Sequence, residues 1–135
     1  MKLFIAANVG VYRLTGGRLG GKFGGAPVLL LDHVGRKSGR RRTSPLIYTR
    51  DGEDLLIVAS RGGSDATPAW WLNLRAKPAT TVQVGSRHHD VVAHQASPEE
   101  KQRLWPLVVD QYGDYAVYQQ RTKREIPVIV LSPAG

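Results

Sequence analysis

Two tight turns between apolar stretches constrain the fold of this chain more than any other feature. Asp51 and Gly52 separate two such stretches as a type I′ hairpin turn requires, and Gly85 with Ser86 suits a type II′ turn. Strands joined by two-residue turns pair antiparallel. No βαβ alternation accompanies them, so the sequence predicts an α+β barrel and not a Rossmann sheet.

The apolar and β-branched runs predict six strands with two or three peripheral helices. The predicted strands cover residues 28–34, 42–50, 55–60, 80–84, 87–94 and 127–131. One helix is expected to begin at Thr67 as its N-cap, with Pro68 in the first turn, and to end before Pro78. Another is expected to begin at a capping box headed by Ser97 and to kink or restart at Pro106.

The chain of 135 residues is long enough for one domain with its own core. Residues 2–14 predict a short amphipathic helix, and residues 15–26 predict a glycine-rich basic linker. We therefore divide the chain into a helix with linker over 1–26 and a barrel over 27–135. The absence of cysteine, of a signal-peptide pattern and of an apolar run of about 20 residues leads us to expect a cytoplasmic protein.

Positive charge is concentrated in the first half of the chain. Residues 1–61 contain eleven Lys and Arg against four Asp and Glu, whereas residues 62–135 contain eight against seven. The densest segment, 35–42, joins two predicted strands and holds five cations and two glycines. Glycine backbone N–H groups together with Arg and Lys side chains suit a phosphate. A solvated turn that protects a sheet edge, or a patch that follows a nucleic-acid backbone, has the same composition.

Two further segments could contribute to a binding site. The turn 59–63 precedes the helix at Thr67 and could hold a second anion with Arg61, although an ordinary loop has the same composition. Trp70 and Trp71 point about 100° apart on a helix. They are therefore not expected to face the same core, and one of them could line the site of a planar ligand.

Three tyrosines, Tyr112, Tyr115 and Tyr118, would share one face of a helix. They form either an aromatic core stripe or a pocket wall whose hydroxyls orient a substrate oxygen or donate a proton.

Several other classes of site do not fit the sequence. A glycine-rich stretch over 16–23 resembles a phosphate-binding loop, but Phe23 replaces the magnesium-binding hydroxyl. The neighbouring His88 and His89 face opposite ways on a strand, so no metal site is expected. No nucleophile elbow is present.

These four segments, in this order, resemble the deazaflavin-dependent nitroreductase family, and the likeness covers residues 10–133. It rests on the sequence Gly-Arg-Lys-Ser-Gly from Gly35, Ala-Ser-Arg-Gly-Gly from Ala59, Pro-Ala-Trp-Trp-Leu-Asn-Leu from Pro68, and the three tyrosines. The resemblance implies a six-stranded antiparallel split β-barrel of FMN-binding-like type. It also implies coenzyme F420, whose phosphodiester and glutamate tail need a basic groove, and hydride transfer to a quinone-like or nitro-aromatic acceptor.

The resemblance further implies which residues act. Ser60, Tyr112, Tyr115 and Tyr118 would face the ring and the acceptor as catalytic residues. The coenzyme would be bound by Arg36, Lys37, Ser38, Arg42, Thr43, Ser44, Pro45, Leu46, Ile47, Val58, Ala59, Ser60, Arg61, Ala69, Trp70, Trp71, Leu72, Asn73 and Tyr115. In one departure from the family, Ile47 follows Pro-Leu where nitro-reducing members can place an aromatic residue, and Tyr48 falls on the opposite strand face.

Alternatives remain open at this point. An FMN-binding split-barrel protein would share the fold, and a basic module for single-stranded nucleic acid would share the cations and aromatic residues. We expect the protein to be a monomer and not to bind nucleic acid. The apolar N-terminal helix and the basic linker could also touch an anionic membrane at the inner face of the cell.

Overall fold

A computed structural model describes residues 2–17, 22–23 and 25–134, with the side chains of residues 2–8 and 23 left out. The helices of this part of the chain are α1 (Lys2–Thr15), α2 (Ala69–Ala76), α3 (Pro98–Gln111) and α4 (Asp114–Arg121), with one 3₁₀ turn at Arg61–Gly63. The strands are β1 (Lys22–Phe23), β2 (Ala26–Val34), β3 (Arg41–Ile47), β4 (Thr49–Asp51), β5 (Asp54–Val58), β6 (Ala79–Val84), β7 (Arg87–Gln95) and β8 (Val128–Pro133).

All of the strand pairs are antiparallel, in the order β1-β2-β6-β7-β8-β5-β4, and β3 also pairs with β2. The α+β prediction is therefore confirmed. The six-stranded barrel is not, because the predicted strand 42–50 is broken at Tyr48 into β3 and β4, and β1 is an additional short strand. Although only Tyr48 separates β3 from β4, no pairing joins these strands in the described residues, and the sheet stays open.

The two predicted turns differ in outcome. Gly85 and Ser86 do form a two-residue turn, with Val84 paired to Arg87 and Gly85 at φ +62°. The other turn is one residue later than predicted: Asp51 pairs with Asp54, so the turn residues are Gly52 and Glu53. Glycine, at φ +61°, occupies the first turn position because it adopts the left-handed conformation without a Cβ clash.

Of the two helix starts predicted from the sequence, the one at Ser97 is confirmed and the one at Thr67 is wrong. Ser97 forms the predicted capping box, since its Oγ accepts from the Glu100 N–H at 3.1 Å and its own N–H donates to the Glu100 carboxylate at 3.0 Å. The helix that follows does not restart at Pro106 and continues to Gln111. Thr67 is not the N-cap of α2, because Pro68 holds that position without any side-chain capping bond.

Alternation along the strands creates buried clusters on both faces of the sheet. The inner face carries Leu29, Leu31, Ile57, Ile129 and Leu131, which pack against α2. The outer face of β5 and β8 packs against α3 and α4 through Leu56, Val58, Val128, Val130, Leu104 and Val108. Each fully buried aliphatic side chain contributes about 1.5–3 kcal/mol to folding, so the three helices are fixed to the sheet.

Helix α1 packs on the outer face of β2. Val9 and Tyr12 are buried against Val28 and Leu30. The Tyr12 hydroxyl donates to the Gln83 carbonyl at 3.3 Å and accepts from the N–H of Gly85 at 2.8 Å. The predicted linker lies partly outside the described residues, at 18–21 and 24.

Candidate functional site

A groove of about 910 Å³ lies where α1, the β2–β3 hairpin, the 3₁₀ turn and the start of α2 meet. Five of its lining side chains are cations, namely Arg13, Arg36, Lys37, Arg42 and Arg61. No carboxylate is among the described residues that line it. The groove is therefore suited to an elongated anion with several negative groups.

Strand register explains how part of this lining arises. Arg42 pairs with His33, and Ser44 pairs with Leu31. Because paired residues share a face and the faces alternate, these four side chains lie on the inner face. Leu31 belongs to the core beneath the groove, which leaves Arg42, His33 and Ser44 at the open end of the sheet.

The tip of the β2–β3 hairpin is an ordered loop. The Gly39 N–H donates to the Gly35 carbonyl at 2.8 Å, and the Gly35 N–H donates to that of Arg40 at 2.9 Å. A Cβ on Gly35 would lie 2.5 Å from the Ser38 Oγ, so a larger residue would require the Ser38 side chain to move. This loop presents Arg36, Lys37 and Ser38 to the groove, as the sequence predicted for a hairpin of cations.

A buried polar chain connects the hairpin tip to β3. Asn73, on α2, accepts at Oδ1 from the backbone N–H of Arg36 at 3.1 Å and from its Nη1 at 3.3 Å. The Asn73 Nδ2 lies 3.1 Å from the His33 Nδ1, and the His33 Nε2 lies 2.9 Å from the Ser44 Oγ. Burial and the nearby Arg42 lower the pKa of His33, with Asp32 opposing them.

Helix α1 contributes a cation that sequence reasoning missed. The Arg13 Nη2 donates to the Thr43 Oγ1 at 3.0 Å, and the Thr43 hydroxyl donates to Asp32 at 2.7 Å. Arg41 donates to the other oxygen of Asp32 at 2.9 Å. No local pattern marks Arg13 as a site residue, because its position depends on how α1 docks on the sheet.

The turn that carries Arg61 has an unusual backbone. Arg61 has φ +46° and is the one residue other than glycine with positive φ in the described part of the chain. Such a conformation costs about 1–3 kcal/mol and is maintained by the surrounding structure. Here the Arg124 guanidinium donates to the Ala59, Ser60 and Ser64 carbonyls at 2.9–3.2 Å, which fixes the turn and keeps Arg61 in the groove.

The three tyrosines cluster, but not on one helix. Tyr112 is the C-cap that follows α3, whereas Tyr115 and Tyr118 lie on α4, and the ring centroids are 5.0–6.2 Å apart. The Tyr112 and Tyr118 hydroxyls are 3.2 Å apart. The hydrogen bond to Tyr118 raises the pKa of Tyr112, and burial raises that of Tyr115. Both of these phenols are therefore protonated at neutral pH.

The two tryptophans correct the sequence interpretation. Both Trp70 and Trp71 belong to the inner core cluster, at 9% and 4% exposure, with ring centroids 6.4 Å apart. Helix α2 packs on the inner face of the sheet, so an arc of about 100° still falls within the core. Trp70 also lines the groove, as expected for one of the pair.

The structure gathers about half of the predicted coenzyme contacts in the groove. Those that line it are Arg36, Lys37, Ser38, Arg42, Thr43, Ser44, Arg61, Ala69, Trp70 and Asn73. Those outside its lining are Pro45, Leu46, Ile47, Val58, Ala59, Ser60, Trp71, Leu72 and Tyr115, and Tyr112 and Tyr118 also lie outside it. The lining residues that the sequence did not indicate are Val9, Gly10, Arg13 and His33, whereas Gly35 and Pro68 belong to segments that it did indicate.

The described residues contain no group of three or more His, Cys, Asp or Glu side chains that could hold a metal ion. None of their helices is both long and apolar enough to cross a membrane.

Comparison with known proteins gives a consistent result. A family model described as F420H(2)-dependent quinone reductase matches residues 5–133. An F420H(2)-dependent quinone reductase of Mycobacterium tuberculosis is 43% identical over 126 residues, which cover 90% of this chain and 85% of that protein. A solved structure described as F420-H2 dependent reductase (FDR-A) is 36% identical with a TM-score of 0.73, over 78% of this chain and 94% of that chain. Another, described as a domain-swapped dimer, has the same identity and TM-score and covers 78% and 80%.

Proposed function

The chain belongs to the F420H(2)-dependent quinone reductase family, and from this membership we propose that it binds coenzyme F420 in the cationic groove and reduces a quinone. The observation that carries the assignment of the groove is its lining of five cations without a described carboxylate. In this proposal the sheet is the split barrel typical of such reductases.

The groove residues fit the anionic groups of the coenzyme. The hairpin tip offers Arg36, Lys37 and Ser38 as adjacent donors, with Arg42 beside them. A charge-assisted hydrogen bond of this kind contributes about 1.5–3 kcal/mol. We assign these four residues to the phosphodiester and Arg61, on its separate turn, to a second anionic group.

The planar part of the coenzyme requires a flat apolar wall. We assign this role to Trp70, because it lines the groove and belongs to the inner core cluster. Thr43 and Ser44 add hydroxyls on the β3 side, and Ala69 and Asn73 complete the α2 side. The remaining predicted contacts on β3, β5 and α2 are proposed to form the ring end of the site.

The coenzyme supplies a hydride when it is bound in its reduced form, and the protein stacks, orients and shields the reacting centres. Reduction of a quinone to a hydroquinone by a hydride also consumes one proton. The tyrosine cluster can provide one, because Tyr112 and Tyr115 are protonated at neutral pH and Tyr118 contacts the turn that carries Arg61. We therefore propose Ser60 and the three tyrosines for the acceptor end of the site.

Quinones fit this chain better than nitro-aromatic compounds. Ile47 packs against the outer clusters, whereas Leu46 and Tyr48 pack against the inner one, as strand alternation predicts. The first side chain after Pro-Leu is thus aliphatic and lies on the same side of the sheet as Tyr112 and Tyr118, whereas the phenol of Tyr48 lies on the opposite side. Rapid reduction of a bicyclic nitroimidazole by the protein with reduced coenzyme would contradict this preference.

Two further proposals concern the oligomeric state and the location of the protein. We propose that the protein is a cytoplasmic monomer. The competing arrangement is a domain-swapped dimer, as described for a 36% identical protein, and light scattering of the purified protein distinguishes the two.

The exposed side of α1 carries Leu14, which is 89% exposed, and Val11, and we propose that these residues touch an anionic membrane. Liposome co-sedimentation that is unchanged by Leu14→Asp would exclude this contact.

Binding of the oxidised coenzyme tests the central proposal. The protein is titrated with F420 and, separately, with FMN, and binding is followed by tryptophan fluorescence. We expect micromolar or tighter affinity for F420 and no comparable affinity for FMN. Lys37→Ala should weaken binding about tenfold. Lys77→Ala removes an exposed lysine outside the groove and serves as the matched control. Retained affinity for FMN or for an oligonucleotide, without binding of F420, would assign the groove to that ligand instead.

A further inference from the structure

The buried pair of His33 and Asn73 is more than a wall of the groove. We propose that His33 is a positioning residue: neutral and protonated at Nε2, it holds the Ser44 hydroxyl so that the Ser44 proton points to an anionic oxygen in the groove. The identity of that oxygen, as part of the coenzyme, rests on the proposed function. The direction of the hydrogen bonds rests on the chain alone.

The contacts of Arg36 with Asn73 set the direction of these hydrogen bonds. A backbone N–H and a guanidinium can only donate, and both contact the same atom of Asn73, at 3.1 and 3.3 Å. That atom must therefore be the amide oxygen. The amide nitrogen then faces the His33 Nδ1 at 3.1 Å and donates to it, so Nδ1 carries no proton.

A neutral imidazole with a bare Nδ1 carries its proton on Nε2. This nitrogen lies 2.9 Å from the Ser44 Oγ and donates to it. Among the described residues, Ser44 makes no other side-chain hydrogen bond, so its hydroxyl proton has no acceptor there. Since Ser44 lines the groove, the free direction for this proton is toward a bound ligand.

The surroundings of His33 keep it neutral. The side chain is 5% exposed, and Arg42 on the paired strand disfavours a second positive charge. Asp32 on the same strand acts in the opposite sense, while Asn73 on α2 is uncharged and binds the cationic Arg36. A protonated Nδ1 would also place two donors against each other at the Asn73 contact, which would break the chain.

The consequence is a single hydrogen-bonded path from the hairpin tip to β3. Its two ends, Arg36 and Ser44, both line the groove, and its two middle members are more than nine-tenths buried. A hydroxyl that is fixed in this way donates without the loss of rotational freedom that an unrestrained serine would suffer. His33 thereby affects ligand affinity through Ser44, without any contact of its own being required.

The first test needs no coenzyme. A long-range nitrogen–proton correlation spectrum of the wild-type protein at pH 7, assigned with His33→Gln, reports which ring nitrogen carries the proton. We expect the neutral Nε2–H form. A neutral Nδ1–H form, or a doubly protonated ring, would overturn the inference whatever the ligand of the groove is.

The second test measures the affinity for oxidised F420 in the wild type, Ser44→Ala, His33→Phe and the double variant. Each single change should weaken binding about tenfold, the value of one charge-assisted hydrogen bond. The double variant should bind no more weakly than His33→Phe, because Ser44 then has no fixed hydroxyl to lose. His33→Gln, which keeps an N–H donor, should recover part of the affinity.

Losses that multiply in the double variant would show independent roles and contradict the inference. Thermal unfolding of each variant controls for damage to the fold, and if His33→Phe does not fold, the spectrum still decides the tautomer. If the wild type does not bind F420, the proposed function fails, whereas the spectrum continues to decide the direction of the hydrogen bonds.

Discussion

Gly63 packs directly against the backbone of Tyr118: a Cβ added to Gly63 would lie 2.7 Å from the Tyr118 carbonyl oxygen. The contact joins the turn that carries Arg61 to the helix that carries two of the tyrosines. Arg121 reinforces it, since its guanidinium donates to the Gly62 carbonyl at 3.3 Å and lies over the Tyr118 ring. The anion groove and the tyrosine cluster are therefore connected through a rigid turn.

Gly63→Ala should accordingly affect both stability and coenzyme binding. The residue has φ +83°, so alanine would be strained as well as in collision with α4, and we expect a loss of about 2–4 kcal/mol of unfolding free energy. Gly62→Ala is the matched control, because Gly62 also has positive φ but open space at its Cβ, and it should lose about 1 kcal/mol. Denaturant unfolding measures the loss of stability in each of the two variants. Equal losses would mean that the contact with α4 adds nothing.

Arg13 should contribute to coenzyme affinity from α1. Arg13→Ala removes a cation that lines the groove, and we expect several-fold weaker binding of F420 and a smaller dependence on salt. Arg41→Ala is the control, because Arg41 is bound to the same Asp32 but lies outside the groove lining. Titrations at two ionic strengths compare them. An equal effect of the two changes would reduce the role of Arg13 to general charge.

Local sequence patterns were sufficient for the hairpin of cations and for the capping box at Ser97, because each depends on residues that are close in the chain. They were insufficient for Arg13 and His33. Arg13 reaches the groove only because Tyr12 docks α1 on β2, and His33 becomes a site residue only through contacts with Asn73 and Ser44. Such contacts join residues 11 to 71 positions apart, and short-range spacing carries no information about them.

The tyrosine prediction failed in a similar way. A spacing of three residues suited one continuous helix, but α3 ends at Gln111 and Tyr112 takes an extended backbone as its C-cap. The next helix starts at Asp114 and brings Tyr115 and Tyr118 next to Tyr112. The cluster was thus predicted correctly for the wrong reason, since the break was not visible in the periodicity.

The stability of α3 should depend on pH through Glu100. Its carboxylate accepts the Ser97 backbone N–H, and this bond, with His94, lowers the pKa of Glu100 below its usual 4.5. A depressed pKa adds stability that is present above about pH 4.5 and is lost as the pH falls through the lower value of the folded state. The difference in stability between the wild type and Glu100→Gln should therefore shrink between pH 6 and pH 3, roughly the range over which such a carboxylate titrates.

The control for this measurement is Glu99→Gln. Glu99 is also in the first turn of α3 but makes no hydrogen bond to another described side chain or cap. Its substitution should change the pH profile less than that of Glu100→Gln. A difference between the wild type and Glu100→Gln that stays constant over the acidic range would show that the capping bond does not depend on the charge of Glu100.

Tyr118 should act in the reduction of the acceptor and not in the binding of the coenzyme. Its hydroxyl lies 3.2 Å from that of Tyr112, while both rings lie outside the lining of the cationic groove. If Tyr118 donates the proton that accompanies hydride transfer, Tyr118→Phe should lower kcat for quinone reduction by at least about 100-fold, with little change in the affinity for oxidised F420. Tyr48→Phe is the control, because Tyr48 packs on the inner core and against Arg50.

Steady-state kinetics with a soluble quinone, in water and in deuterium oxide, separate proton donation from packing. The wild type should show a solvent isotope effect that Tyr118→Phe alters. A variant with unchanged kcat would assign the tyrosine cluster to packing, because loss of the hydroxyl would then affect only the contact with Tyr112 and the stability of α4.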